Sequence, residues 1–137
     1  MMKWNRIIAA VLVAAIFLGF PPEVSAALYA DISALELKQR IDDEDDDNFI
    51  ILDIRDEEDY DKKHIPGAIN IPLKELGYKV FALDRTKDII VYCAVGVRSK
   101  VAAKILINAG FKDVFNLTGG IKAWNYPIET SDGRVSI

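Results

Sequence analysis

Short apolar runs recur along the chain and predict buried β-strands. Three such runs are Phe49 to Leu52, Ile89 to Tyr92 and Val114 to Leu117. Continuous apolar runs of this length are typical of strands covered on both faces of a parallel sheet. A further strand of three or four residues is predicted within Ile65 to Pro72, because proline and glycine mark turns around it.

The segments between these runs have the spacing of helices. Ser33 and Glu36 form the pattern of a capping box, in which each side chain pairs with a free backbone N–H at a helix start. In chain order the predicted helices are Ala34 to Ile41, a brief one within Asp56 to Lys62, Leu73 to Ala82, Ser99 to Ala109, and a short one after Gly119-Gly120 that holds Trp124. Gly77 is unfavourable inside the third of these helices.

Strands and helices therefore alternate through the chain, which predicts an α/β domain. Short right-handed crossovers then produce a mostly parallel sheet with helices on both faces. Residues 27–137 have the length of one ordinary domain with a single core.

The first residues have the pattern of an export signal. Lys3 and Arg6 precede an apolar run from Ile7 to Phe20, and small residues follow up to Ala26. The run is shorter than the about 20 residues of a membrane-spanning helix. We therefore expect residues 1–26 to be a cleaved signal peptide and residues 27–137 to be exported, to the periplasm or outside the cell. An uncleaved N-terminal anchor is the alternative, and no stable membrane insertion is expected after cleavage.

Charge excludes some partners. Residues 27–137 carry 15 basic and 20 acidic side chains, a net charge of −5. This balance argues against nucleic acid and anionic membranes as partners. Residues 42–47 are all acidic, which favours a solvated loop; a calcium site is the alternative, although the ligand spacing and glycine of an EF-hand are absent. We expect no metal, no cofactor and a monomeric domain.

The only cysteine, Cys93, lies where a predicted strand ends and a helix begins. It has no partner for an intramolecular disulfide, so the thiol is either buried and inert or kept free for a reaction. Ligands of open α/β sheets bind at this end of the strands. Backbone N–H groups at a helix start, with Gly96 allowing the loop to curl, lower the pKa of a thiol and make it nucleophilic. Arg98 adds a cation for an anionic substrate.

Several motifs in one order resemble the single-domain rhodanese family of sulfurtransferases, over about residues 30 to 128. The motifs are Leu52-Asp53-Ile54-Arg55; Tyr60 with His64-Ile65-Pro66-Gly67-Ala68-Ile69-Asn70-Ile71-Pro72; Val91-Tyr92-Cys93 with Gly96 and Arg98-Ser99; and Asn116-Leu117 with Gly119-Gly120-Ile121 and Ala123-Trp124. The resemblance implies a rhodanese-like α/β fold with a five-stranded parallel sheet flanked by helices.

The resemblance also implies a reaction. Cys93 would accept a sulfane sulfur from thiosulfate, polysulfide or a persulfide donor, and the Cys93 persulfide would pass it to cyanide or a thiol. Asp53, Arg55 and His64 would support the loop and the neighbouring turns, while the double glycine and Trp124 would serve packing. The residues expected to form the substrate-binding loop are Ala94, Val95, Gly96, Val97, Arg98 and Ser99.

Loop length separates this reaction from phosphate chemistry. Four residues lie between Cys93 and Arg98, one fewer than in the Cys-x5-Arg loop of tyrosine phosphatases. A shorter loop fits one sulfur atom better than a phosphoryl group with its three equatorial oxygens. Phosphatase or arsenate reductase activity is the minor alternative. A Cys-His hydrolase would require His64 to reach Cys93, and a hydrogen-bonded structural role for His64 is favoured.

The sequence also departs from the family pattern at three places. Lys63 stands where the family usually has glycine before the histidine, the segment after Trp124 is short, and the loop is apolar at Ala94, Val95 and Val97. Such a loop holds a dianion like thiosulfate only modestly. A protein that carries sulfur or binds a partner without turnover is therefore the second hypothesis.

Overall fold

The computed structural model describes residues 28–137; the predicted signal peptide and the cleavage position lie outside them. The strands are β1 (Ala30–Ile32), β2 (Phe49–Asp53), β3 (Ile69–Asn70), β4 (Asp88–Tyr92), β5 (Val114–Leu117), β6 (Ile128–Glu129) and β7 (Val135–Ser136). The helices are α1 (Ala34–Asp42), α2 (Glu57–Lys62), α3 (Leu73–Lys79) and α4 (Arg98–Asn108), with 3-10 turns at Val80–Ala82 and Gly120–Ala123.

Five strands form one parallel sheet in the order β1-β5-β4-β2-β3. Strand β4 lies at the centre, where Ile90 is opposite Ile51 of β2 and Phe115 of β5. The remaining strands, β6 and β7, form a separate antiparallel pair. The predicted α/β class and its five-stranded parallel sheet are confirmed.

Helices cover both faces of this sheet. On one face, Val91 and Cys93 pack against Leu76 of α3 and Leu106 of α4. On the other face, Ile90 and Tyr92 pack against residues that come mainly from α1 and the second 3-10 turn, namely Leu37, Ile121 and Trp124. Successive residues of β4 are therefore buried on opposite sides, as the continuous apolar run predicts.

The observed elements extend the predicted ones in a few places. Helix α1 has the predicted capping box, with the Ser33 N–H 2.8 Å from Glu36 Oε2, and it includes Asp42, the first residue of the acidic run. The helix predicted after Leu73 continues through Gly77 and ends in a 3-10 turn, and Trp124 directly follows the second 3-10 turn instead of lying within a helix. Strands β1, β6 and β7 were not predicted from apolar runs.

The acidic run is partly neutralised by the protein itself. Arg40 lies 2.7 Å from Asp46 and 2.9 Å from Asp88, and Lys87 donates to the backbone oxygen of Asp47. Among residues 28–137, no group of three or more histidine, cysteine, aspartate or glutamate side chains is arranged to hold a metal ion. No helix within the same residues has the length and apolar content needed to cross a membrane.

Candidate active site

Cys93 directly follows β4, the central strand, at the end of the sheet where ligands bind in open α/β folds. Its neighbours β2 and β5 end at the same edge because all three strands are parallel. Cys93 is only 1% exposed. A compound that reacts with its sulfur must therefore be small or must present a protruding atom.

The backbone after Gly119 holds the Cys93 loop in place. The Ile121 N–H donates to the Cys93 oxygen at 2.9 Å, and the Lys122 N–H donates to the Ala94 oxygen at 3.0 Å. Gly96 has a φ of +87°, and a Cβ atom there would lie 3.0 Å from the Gly119 nitrogen. Glycine is thus required at position 96 both for the turn and for the close approach to the double glycine.

Two groups from the loop and the start of α4 contact the sulfur of Cys93. The Gly96 N–H lies 3.2 Å from Sγ, and the Ser99 hydroxyl oxygen lies 3.4 Å from it. Val97 precedes α4 and supplies no side-chain cap, so the first amides of the helix are available to the site.

These contacts set the acidity of the thiol. Burial alone would raise the pKa of Cys93, but the Ser99 side chain 3.4 Å from the sulfur and hydrogen bonds from the backbone N–H groups of Ser99, Val95 and Gly96 outweigh it. The pKa of Cys93 is therefore lowered from its ordinary value, and a larger fraction of the thiol is thiolate at neutral pH.

The rim of the site combines apolar and basic side chains. Val95 and Val97 are 51% and 65% exposed, and Arg98 at the start of α4 is also exposed. Within residues 28–137, Arg98 forms no ion pair with a carboxylate. Its guanidinium is therefore available to an anionic substrate.

Asp53 and Arg55 form a buried ion pair next to the residue that precedes Cys93. Arg55 Nη2 lies 2.6 Å from Asp53 Oδ2 and donates to the Lys63 oxygen at 2.7 Å. The guanidinium carbon is 5.7 Å from the ring centre of Tyr92, whose hydroxyl accepts from the Ile65 N–H. The pair thus joins the end of β2 to the turn after α2 and makes none of its hydrogen bonds with residues 94–99.

The imidazole of His64 is held by Tyr60 and Glu129. The His64 Nδ1 lies 2.8 Å from the backbone oxygen of Tyr60, and its Nε2 lies 3.6 Å from Glu129 Oε2. The imidazole stacks on the Tyr60 ring with the centroids 3.8 Å apart. Both ring nitrogens therefore face groups of α2 and β6, and neither is hydrogen-bonded to Cys93.

Asn116 and Asp31 belong to the site although no motif assigned them a role. The Ser99 hydroxyl donates to Asn116 Oδ1 at 2.6 Å, and Asn116 Nδ2 donates to Asp31 Oδ1 at 3.0 Å. A polar residue inside the apolar run Val114 to Leu117 was the available sequence feature, since a buried amide requires partners.

Comparison with known proteins places the chain in a family. The model of the rhodanese-like domain matches residues 33–126. The chain is 33% identical over 107 residues to the thiosulfate sulfurtransferase GlpE of Coxiella burnetii, covering 78% of this chain and 97% of that protein. It is 37% identical over 100 residues to a protein of Bacillus subtilis named "Putative sulfur carrier protein YrkF", of which it spans about half (53%), with 73% of this chain covered.

Solved structures agree with the sequence comparisons. The crystal structure of the Alr3790 protein from Anabaena sp. matches 72% of this chain and 82% of that chain, with a TM-score of 0.68 and 35% identity. A rhodanese-related protein from Thermoplasma volcanium matches 73% of this chain and 97% of that chain, with a TM-score of 0.65 and 34% identity. The chain belongs to the rhodanese-like domain family.

Proposed function

We propose that the protein is a sulfurtransferase that carries sulfane sulfur on Cys93. The observation that supports it most is the placement of the only thiol: Sγ lies at the end of the central strand with the Gly96 N–H at 3.2 Å. GlpE, named a thiosulfate sulfurtransferase, is similar along almost its whole length.

The reaction has two displacement steps. The Cys93 thiolate attacks the sulfane sulfur of thiosulfate; the sulfur–sulfur bond of the donor breaks, and sulfite leaves with the electron pair. Cys93 then carries a persulfide anion. Cyanide attacks the outer sulfur, thiocyanate leaves, and the electron pair of the broken bond restores the thiolate. A polysulfide or a persulfide can replace thiosulfate, and a thiol can replace cyanide.

The residues of the loop support this chemistry. Amides that lower the pKa of Cys93 also stabilise the anion of a persulfide, because both are negatively charged sulfur groups in the same loop. The four residues between Cys93 and Arg98 form a short loop that suits a single sulfur atom better than a phosphoryl group. Arg98 supplies a cation for the donor.

The test is a panel of donors and acceptors on residues 27–137. Thiocyanate is measured with thiosulfate or polysulfide as donor and cyanide as acceptor, and sulfide release is measured with a thiol acceptor. We expect multiple turnovers that are lost in Cys93→Ser. Undiminished turnover in that variant would refute the proposal.

A carrier without turnover is the second candidate. The exposed side chains of Val95 and Val97 beside the thiol favour it. The name of YrkF, a putative sulfur carrier protein, also favours it, and membership of the rhodanese-like family is compatible with it. Mass spectrometry after polysulfide treatment shows one added sulfur atom in both cases. Steady-state turnover separates them, because a carrier alone gives no more than one thiocyanate per protein.

Phosphate chemistry is the remaining alternative for an anion-binding thiol loop. Aryl phosphate hydrolysis that disappears in Cys93→Ser would favour it over sulfur transfer. We expect no such hydrolysis, because the loop is one residue shorter than the phosphatase loop.

We also propose that the domain acts outside the cytoplasm. This rests on the basic residues Lys3 and Arg6, the apolar run that follows them and the small residues before Ala27. Cell fractionation with N-terminal sequencing of the recovered protein tests it. A mature protein that begins at Ala27 is expected; full-length protein in the cytoplasmic fraction would contradict export.

A further inference from the structure

A continuous set of hydrogen bonds, buried except at its last link, leads from the Cys93 sulfur to the edge strand β1. Ser99 Oγ lies 3.4 Å from Cys93 Sγ and 2.6 Å from Asn116 Oδ1, and Asn116 Nδ2 lies 3.0 Å from Asp31 Oδ1. Cys93, Ser99 and Asn116 are all buried. The register of the sheet accounts for the last link, because Asp31 and Asn116 are paired residues of neighbouring parallel strands.

The direction of these hydrogen bonds is fixed from the Asp31 end. An ionised carboxylate can only accept, so the amide of Asn116 must turn its NH2 group toward Asp31. Its Oδ1 then faces Ser99 and needs a donor, because a buried oxygen that has lost its hydration and has no hydrogen-bond donor destabilises the fold. The one hydroxyl hydrogen of Ser99 is therefore directed to Asn116 and not to the sulfur.

With this assignment, the Cys93 sulfur and Asn116 Oδ1 compete for the one hydroxyl hydrogen of Ser99. In the thiol form, the Cys93 S–H donates to Ser99, and Ser99 donates to Asn116, so every group is paired. When Cys93 loses its proton, the thiolate favours the Ser99 hydroxyl as a donor. Turning that hydroxyl toward the sulfur leaves Asn116 Oδ1 without its donor.

We propose that Asn116 is a positioning residue that holds the Ser99 hydroxyl hydrogen away from the Cys93 sulfur, and that Asp31 fixes the amide in the orientation that does so. The thiolate then depends chiefly on backbone amides such as Gly96 N–H. A thiolate with fewer hydrogen-bond donors is more basic and a stronger nucleophile. The inference rests on the proposed function, since nucleophilic attack by Cys93 is the step that it adjusts.

The test is a double-mutant cycle on Ser99 and Asn116. Asn116→Leu has similar volume and no acceptor, so it frees the Ser99 hydroxyl to donate to the thiolate. We expect the Cys93 pKa to fall by about one unit, or about tenfold more thiolate at a pH below the pKa, as the loss or gain of one such hydrogen bond implies. In the Ser99→Ala background the same substitution is expected to leave the pKa unchanged.

The pKa is measured by ultraviolet titration of the thiolate and by the pH dependence of alkylation. A packing role for Asn116 would move the pKa equally in both backgrounds, and that result, or no shift in the single variant, would overturn the proposal. The variants leave the other charged residues on elements around the loop unchanged: Asp53, Arg55, Arg98, Lys100 and Lys122.

Asp31→Ala provides a second route if Asn116→Leu does not fold, because Asp31 is exposed on β1. Without the carboxylate the Asn116 amide is free to turn over and donate to Ser99, so the Cys93 pKa is again expected to fall. The shift must persist at high salt, since screening removes a purely Coulombic effect of the lost charge. An unchanged pKa, or a shift that vanishes with salt, contradicts the proposal.

The titration also separates this inference from the proposed function. Thiol acidity is measured without any sulfur donor. Sulfur turnover with an unmoved pKa would refute only the role of Asn116, whereas a shifted pKa without turnover or persulfide would refute only sulfur transfer.

Discussion

Gly120 packs directly against the carbonyl group of Cys93. A Cβ atom at position 120 would lie 2.4 Å from the Cys93 oxygen and 2.6 Å from the carbonyl carbon and oxygen of Ala94. The same Cys93 oxygen accepts from the Ile121 N–H at 2.9 Å. The segment after β5 therefore determines where the backbone of Cys93 lies, and with it the position of the sulfur.

Gly120→Ala is expected to disturb the site and to destabilise the domain. Gly120 has a φ of +61°, which costs about 1–2 kcal/mol for any other residue, and overpacking adds about 1–3 kcal/mol. We expect a loss of about 2–5 kcal/mol in the free energy of unfolding, measured in urea, with slower alkylation of Cys93 in the folded protein.

Gly67→Ala is the matched control for that substitution. Gly67 has a φ of +79°, but a Cβ atom there would have no neighbour within 4 Å. Gly67→Ala should lower the free energy of unfolding only by the cost of a positive φ, about 1–2 kcal/mol, and should keep the alkylation rate of Cys93. Equal losses for the two variants would show that contact with Cys93 and Ala94 does not matter.

Gly77→Ala is expected to stabilise the protein. Gly77 is an exposed residue in the interior of α3, its φ is not positive, and a Cβ atom there would have no neighbour within 4 Å. Alanine in place of glycine at such a position gains about 0.5–1 kcal/mol. Urea unfolding should show a higher midpoint with the same slope; a lower midpoint would contradict the helical geometry at this residue.

Arg55→Met is expected to be strongly destabilising because it leaves the Asp53 carboxylate buried without its partner. Both residues are buried, at 4% and 0% exposed, and removing one member of such a pair costs about 3–5 kcal/mol. The measurement is the free energy of unfolding in urea. Cys93 alkylation in the folded variant should remain near the native rate, since the pair makes none of its hydrogen bonds with residues 94–99.

The combination of Arg55→Met with Asp53→Asn separates charge from packing. A neutral amide can still accept from the residue 55 N–H, as Asp53 Oδ1 does at 2.9 Å. We expect the double variant to be more stable than Arg55→Met alone. If adding Asp53→Asn lowers stability further, the cost of Arg55→Met does not come from an unpaired carboxylate.

The pH dependence of Cys93 alkylation follows from the lowered pKa of this thiol. Because the pKa is lower in the folded than in the unfolded chain, the folded protein reaches half of its maximal rate at a lower pH. Comparison of native and urea-unfolded protein measures the difference. A midpoint in the folded protein at or above that of the unfolded chain would contradict the effect of the backbone N–H groups of Ser99, Val95 and Gly96.

The lowered pKa of Cys93 also makes the stability of the protein depend on pH. Between the folded and unfolded pKa values the unfolded chain binds more protons, so stability contributed by Cys93 rises with pH and is fully present above the unfolded pKa. It is lost as pH falls through the folded pKa. The difference in unfolding free energy between native protein and Cys93→Ser should therefore grow over this interval.

The sequence pattern was sufficient for the buried part of the sheet. β2 and β4 each contain a continuous apolar run and β5 is apolar except at Asn116, because both faces are covered, and this signal needs no tertiary information. β1 has three residues of which only Ile32 is buried, and it lies at the sheet edge, so it carries no such pattern. β6 and β7 have two residues each, too few for any period to appear.

The site was predictable only where its parts are close in the chain. Cys93, Gly96 and Ser99 are neighbours, and their roles as loop and helix start follow from local spacing. The link from Asn116 to Asp31 spans 85 residues and depends on the register of β1 with β5. A local pattern contains no information on that register, so the hydrogen bond between Asn116 and Asp31 could be identified only from the folded structure.

Val97→Lys tests whether the apolar rim limits the use of thiosulfate. Val97 is 65% exposed next to Arg98, so lysine fits there without burial of its charge. A second cation about 7 Å from a dianion in water contributes about 1 kcal/mol. We expect kcat/KM for thiosulfate to rise by about 3- to 10-fold at low salt, through a lower KM, and the gain to fade at high salt.

Phe81→Lys is the control, because Phe81 is exposed and precedes β4 at the opposite end of the sheet. An equal gain in both variants would mean that net charge, and not a cation at the rim of the site, controls capture of the donor.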